Sequence, residues 1–320
     1  MAGPSLVCVA GATGFIGRHL LSHLETASTL DIRCLTRNSE AAVASRSKKA
    51  RWVLGNLMHP DSLEGFLDEG AIVLNLVYPN EGSRTDALTA MKNLAEACVR
   101  AKVSRLVHVS TAVVAGLTRD NLVTEESRCK PRNIYEETKL SIERVLAAGL
   151  TGRCELAVLR PTCVFGEGGS NLLKLLGELR NDSVLIRHVK KFLLQHRRLH
   201  LVCVDNVVEA IWHLAQIKLE ASGQCFIVSE DDVPGNNYGN VADILEEELC
   251  IRPSFSVSIA LPSWLLPSLF SAMGRSQTNP NQVYSCQRLL ETGYRRKIQF
   301  IEGLKKFARF YKTQKLTGLA

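Results

Sequence analysis

The sequence lacks any two cysteines close enough to form a chelating pair. Its ten cysteines stand at positions 8, 34, 98, 129, 154, 163, 203, 225, 250 and 286, with no Cys-x-x-Cys among them. A paired-thiolate zinc site is thereby excluded. Most of these thiols lie in apolar runs such as Leu6-Val7-Cys8-Val9, which reads as reduced, small hydrophobes in a cytoplasmic protein. His19 and His23 stand one helical turn apart, but Leu20 takes the position of a zinc helix's glutamate, so no metal is expected. Basic residues are not gathered in a tract: 39 Lys and Arg against 32 Asp and Glu, net +7, are spread along the chain without a nucleic-acid reader motif. That balance suits a phosphorylated small ligand and argues against nucleic acid. No apolar run spans a bilayer, since the one late stretch, 259–273, is too short and carries Pro262 and Pro267. Met1-Ala2-Gly3-Pro4 places no basic region ahead of the first apolar run, which reads against a signal peptide. Repeats and low-complexity tracts are absent as well.

What the chain does have is a glycine turn near its start. Leu6 to Gly17 is an apolar run that breaks into Gly11, Gly14 and Gly17, with apolar residues at helical spacing (Phe15, Ile16, Leu20, Leu21, Leu24) following at once. This is strand, tight turn, helix. A Cβ would block both the reversal and the close approach of a pyrophosphate, whose charge the unpaired N–H groups of the helix start can meet. After the first strand of a βαβ unit, the pattern points to dinucleotide binding rather than to an ordinary turn, with Gly11, Thr13, Gly14, Phe15, Ile16 and Gly17 as the cradle.

With 320 residues, 46% of them hydrophobic, the chain can bury one large core or two unequal ones. Residues 31–37, 51–57, 71–76 and 106–110 read as strands two to five, with helical patterns between them, the longest from about Thr85 to Lys102. The predicted class is α/β: a doubly wound parallel sheet of the Rossmann kind over residues 1–166. A smaller C-terminal substrate-binding lobe follows over 167–320, from which about 199–228 returns to the main sheet. Phe300, Leu304, Phe307 and Tyr311 have the spacing of a closing amphipathic helix.

The end of strand two bears on the coenzyme. An enzyme for NAD usually sets an acid there, against the ribose 2′-hydroxyl, whereas this chain has Thr36-Arg37. Arg37 can grip a 2′-phosphate that an acid would repel, so NADP(H) is expected, with NAD(H) and a merely solvated arginine as the alternatives.

After strand five come Ser110-Thr111 and then Tyr135-Glu136-Glu137-Thr138-Lys139. On a helix, positions i and i+4 share a face, which lets the Lys139 ammonium approach the Tyr135 phenol. A cation about 4 Å away contributes on the order of 4 kcal/mol at an effective dielectric of 20, or roughly three pKa units. That would bring the phenol into working range, with Thr111 holding the substrate oxygen. The spacing alone is unspecific, because Tyr311-x-x-x-Lys315 matches it too. Order in the chain distinguishes Tyr135, which opens the helix after strand five.

Gly11-x-x-Gly14-x-x-Gly17, Thr111, Tyr135-x-x-x-Lys139, Arg160-Pro161-Thr162-Cys163-Val164-Phe165-Gly166 and Val202 to Ala210 together resemble the extended short-chain dehydrogenase/reductases of the NAD-dependent epimerase/dehydratase type. The resemblance implies a pyrophosphate on the glycine turn, Asn56-Leu57 beside the adenine, Leu76 and Val77 on the nicotinamide ribose side, and Pro161 to Val164 against the nicotinamide amide. Thr111, Tyr135 and Lys139 would be the catalytic set, with Lys139 also bonding the ribose. Dehydratases of the family place Asp-Glu after the catalytic threonine; here Ala112-Val113 stands instead, so dehydration is not expected. Ala115 replaces a substrate-contacting tyrosine, a residue around Ala87 replaces a helix asparagine, and Leu199 falls where an arginine often binds the sugar-nucleotide diphosphate, with Arg197 and Arg198 beside it.

The leading expectation is therefore NADP(H)-dependent oxidoreductase or epimerase chemistry, hydride transfer at a secondary alcohol or carbonyl of a nucleotide-linked sugar. One alternative is an apolar ketone or hydroxysteroid-like substrate. The other, from a different class, is a dinucleotide-binding sensor or assembly subunit without turnover. The expected partner is a small molecule, and a homodimer is the assembly considered.

Overall fold

The computed structural model describes residues 6–26, 30–40, 47, 49–78, 83–118, 120–254 and 282–316. The apolar stretch 259–273 lies outside the described residues. Seven parallel strands form the main sheet: β1 (Leu6–Ala10), β2 (Asp31–Thr36), β3 (Arg51–Leu54), β4 (Ile72–Asn75), β5 (Arg105–Val109), β7 (Glu155–Pro161) and β10 (Gln224–Val228). Their order is β10-β7-β5-β4-β1-β2-β3, so the chain reverses its direction of travel across the sheet between β1 and β4. A crevice opens at such a reversal, beyond the carboxyl ends of the strands.

Helices cover both faces because successive strand residues point to opposite sides. On one face Val7, Val9, Leu74, Val107 and Leu159 pack against α1 (Phe15–Leu24) and α6 (Val204–Gln216) through Leu20, Leu24, Val207 and Ile211. On the other, Cys8, Val73, Leu106 and Val158 meet α2 (Arg84–Arg100) and α3 (Ile134–Leu150) through Met91, Leu94, Ile142 and Leu146. Local chemistry sets where the second pair begins: Ser83 and Asp86 form a reciprocal capping box on α2, and Asn133 accepts the Glu136 N–H on α3.

The lobe has a core of its own, in which Phe165, Leu176, Leu179, Leu194, Tyr238, Leu245 and Phe307 are buried together. It is built from α4 (Leu173–Asn181), α5 (Val184–Leu194), α7 (Tyr238–Glu248) and the closing helix α9 (Phe300–Leu316). Of the segment expected to return to the main sheet, β10 does so beside β7, and α6 covers its face. The stretch around Leu199 to Val204 does not: β9 (Leu201–Cys203) pairs with β8 (Cys163–Phe165) in a separate two-stranded sheet. Its alternation is that of any buried strand, and only the position of β8, directly after β7, selects its partner. A second short pair joins β6 (Leu122–Val123) to β11 (Val283–Tyr284), after which α8 (Gln287–Glu291) packs on the main core. No helix among the described residues is long and apolar enough to cross a membrane.

Candidate active site

The glycine turn sits at the reversal of the sheet. Gly11 has φ +89° and its missing Cβ would lie 3.1 Å from the carbonyl carbon of Leu76 after β4. A Cβ on Gly17 would fall 2.1 Å from the Gly11 carbonyl oxygen, so α1 can start this close to β1 only with glycine there. Gly14 caps α1 without a side-chain hydrogen bond, and the first turn holds no acid. The helix therefore presents free N–H groups and a positive dipole end, which is what a pyrophosphate requires. The residues present fit a dinucleotide at this point.

A cavity of about 730 Å³ runs from this turn along the carboxyl ends of the strands. Gly11, Gly14, Phe15, Ile16 and Gly17 form one end of it, Leu76, Pro161 and Val164 line its flanks, and Thr111, Tyr135 and Lys139 meet in its middle. Thr13, Arg37, Asn56, Leu57 and Val77 are not part of its wall. Arg37 is exposed directly after β2, and Thr13 is exposed beside Gly14. Leu57 is buried in the core behind the sheet, Val77 packs against that core, and Asn56 caps its own turn by accepting the Met58 N–H.

Lys139 is buried, and its Nζ donates to the Val109 carbonyl at 3.2 Å while lying 5.0 Å from the centroid of the Tyr78 ring. Burial pulls its pKa down to about 8, opposed by the Glu143 carboxylate one turn further along α3. Tyr135 is 42% exposed and packs edge-on to Tyr78 at 5.1 Å. Its pKa is raised, first by partial burial and then by the Tyr78 phenol, against a hydrogen bond from Thr111. The acidification of Tyr135 by Lys139 expected from the sequence is thus not found; the phenol shifts the other way. Both residues share a helical face, but the ammonium turns inward to the end of β5 and the phenol's shift is set by its own partial burial.

Beneath this set lies a buried polar network. Glu143 binds Arg160 through both oxygens, at 3.1 and 2.6 Å, and accepts a short hydrogen bond from Ser110. It ties α3 to β5 and β7 and so fixes the height of Tyr135 and Lys139 above the sheet. Extending the Tyr-x-x-x-Lys period by one turn to Glu143 would have found it. Further in, His108 is fully buried against Asn75 at 3.1 Å, its pKa held well below the usual histidine range by burial and by the Lys139 charge.

The cavity is also lined by Tyr78, His200 and Tyr284, which no sequence motif signals, and by Cys163, Arg197 and Leu199. Arg198 is held elsewhere, donating to the Asp231 carbonyl at 2.9 Å. His19 and His23 serve packing: His19 meets the Glu167 carbonyl at 2.8 Å, and His23 lies between Lys297 and Glu209.

The NAD dependent epimerase/dehydratase family model matches residues 7–227. A 4-hydroxy-2-methyl-3-oxo-4-farnesyl-3,4-dihydroquinoline-1-oxide ketoreductase of Stigmatella aurantiaca is 28% identical over 177 residues, covering 52% of this chain and 53% of that protein. The chain thus spans about half the length of that relative. The UDP-glucose 4-epimerase of Vibrio cholerae is 22% identical over 279 residues, covering 82% of this chain and 79% of the epimerase. Among solved structures, UDP-glucose 4-epimerase of Thermotoga maritima superposes with a TM-score of 0.70 at 16% identity, covering 97% of this chain and 99% of that one. MoeE5 in complex with UDP-glucose and NAD does so with a TM-score of 0.65 at 20% identity, again over 97% and 99%. At these identities the structural likeness is one of fold.

Proposed function

The chain belongs to the NAD-dependent epimerase/dehydratase family, and from that premise we propose that it is an NADP(H)-dependent reductase of apolar ketones, reversible on the corresponding secondary alcohols. The observation that carries the reading is the lining of the cavity around Thr111 and Tyr135, where Tyr78, Leu199 and Tyr284 stand beside Arg197 and His200, together with the family resemblance, which sets Leu199 where an arginine would hold a sugar diphosphate. The ketoreductase relative, whose named substrate is a farnesylated heterocycle, supports an apolar substrate. Arg37 after β2, with Thr36, Asn38 and Ser39 around it and no acid among them, supports the 2′-phosphate form of the coenzyme. All ten thiols are free, which fits a reducing compartment such as the cytoplasm.

Each residue then has a task. When bound, the nicotinamide supplies hydride to the carbonyl carbon. The Thr111 hydroxyl and the Tyr135 phenol hydrogen-bond the carbonyl oxygen, and the phenol proton passes to that oxygen as negative charge builds on it. Lys139, whose pKa of about 8 leaves it charged at neutral pH, stabilises the phenolate left behind.

A nucleotide-linked sugar is the second reading, favoured by Arg197 in the cavity wall. Incubation with NADPH and a panel of apolar ketones and UDP-sugars decides between them: coenzyme oxidation with the ketones is expected, and turnover of UDP-sugars alone would overturn the proposal. For the coenzyme, Arg37→Ala should weaken NADPH binding by about tenfold or more through the lost charged hydrogen bonds while leaving NADH unchanged. An equal loss for both would remove the basis for the phosphate form.

A further inference from the structure

His200 is the most constrained side chain in the wall of the cavity. It is a non-glycine residue in the left-handed backbone region, φ +52°, and only 5% exposed. Such a conformation persists where the surroundings hold it, and it recurs at ligand sites. Here Nδ1 lies 2.6 Å from Asp231 Oδ2, and the ring stands edge-on to Tyr284 at 5.2 Å. Asp231 is itself fully enclosed and accepts two other N–H groups, from the Tyr284 backbone at 2.9 Å and from Asn236 Nδ2 at 3.4 Å. A carboxylate that accepts on every side requires the imidazole to donate from Nδ1. In the neutral ring Nε2 is then the acceptor nitrogen. It has no partner among the described residues, and the residue lines the cavity.

We propose that His200, oriented by Asp231, is a specificity-determining residue whose Nε2 accepts a hydrogen bond from a hydroxyl or ring N–H at the end of the ketone remote from the reacting carbonyl. The inference rests on the ketone reading and narrows it: the substrate is an otherwise apolar ketone, flanked by Tyr284 and Leu199, that carries one neutral donor. A lone pair at this point disfavours an anionic group. Asp231 acts as the second-layer partner that selects the tautomer and aims the ring, as buried carboxylates do for histidines elsewhere. A site built around one such acceptor discriminates against an analogue that leaves it unpaired.

The test takes the ketone turned over best in the panel in two forms, one with a ring hydroxyl and one with that hydroxyl methylated. Wild-type kcat/KM should favour the hydroxyl form by about tenfold or more, the worth of one buried hydrogen bond. His200→Asn suits the left-handed backbone but is too short to reach the donor. It should bring the ratio to about one, because neither form then finds an acceptor at that point. His200→Gln, whose amide oxygen falls near the place of Nε2, should restore the preference. A ratio unchanged in His200→Asn, or a wild-type ratio of one, would overturn the inference and leave the ketone reading standing. A wild type that reduces neither form removes that reading, and the inference falls with it.

Discussion

Lys139 and Glu143 show how single side chains set the chemistry of this site. An unfolded lysine titrates near 10.5, whereas burial holds Lys139 at about 8. Between those values the unfolded chain binds a proton that the folded chain has released, so stability rises with pH from about 8 to 10.5. The gain is on the order of 3 kcal/mol at one pKa unit per 1.36 kcal/mol. Lys139→Met should flatten that rise in urea melts of the coenzyme-free protein between pH 8 and 10; an unchanged slope would mean that the ammonium is solvated after all. Glu143 and Arg160 are both nearly enclosed, at 6% and 9% side-chain exposure. Glu143→Leu strands the guanidinium and should lower stability by about 3–5 kcal/mol, while adding Arg160→Leu should recover much of the loss. The midpoints of denaturant unfolding, with their slopes, measure both.

At the scale of elements, the strand–turn–helix of β1 and α1 works by proximity. The start of α1 must lie against the Gly11 carbonyl for its N–H groups to face the cavity, and a Cβ at Gly17 would sit 2.1 Å from that oxygen. Gly17→Ala should push the helix start outward and raise the dissociation constant for NADPH by more than about tenfold, because two or three N–H contacts lengthen together. Titration of coenzyme fluorescence reads this directly, and unaltered affinity would locate the pyrophosphate elsewhere. This unit was legible in advance because everything in it is local: glycine spacing, an apolar run and a helical period fall within a dozen residues. The capping of α2 and α3 was equally local, yet the pairing of β9 with β8 was not, since an apolar triplet carries no record of its neighbour.

At the scale of the molecule, the coenzyme cradle and the lobe are joined by the loop 166–171. The Phe15 ring packs where a side chain on Gly169 would lie, His19 meets the Glu167 carbonyl at 2.8 Å, and Tyr311 on α9 donates to the Gly169 carbonyl at 3.1 Å. Coenzyme bound at α1 should therefore slow hydrogen exchange at Gly169 and its neighbours as well as in the glycine turn, a coupling that mass spectrometry resolves by peptide. Protection confined to the turn would show the two lobes to be energetically separate.

Periodicity, glycine placement and the order of motifs along the chain were enough to establish the layered α/β sheet and to name Thr111, Tyr135 and Lys139 as one site. These follow from which residues face inward and where the backbone can turn, and both are properties of neighbours in sequence. Packing alone decided that Lys139 points to Val109 rather than to Tyr135, and that β9 leaves the main sheet. It also brought Tyr78, His200 and Tyr284, from distant segments, to the wall of one cavity, with Asp231 behind His200. A long side chain takes whichever partner the assembled interior offers, and that interior exists only once every layer is in contact.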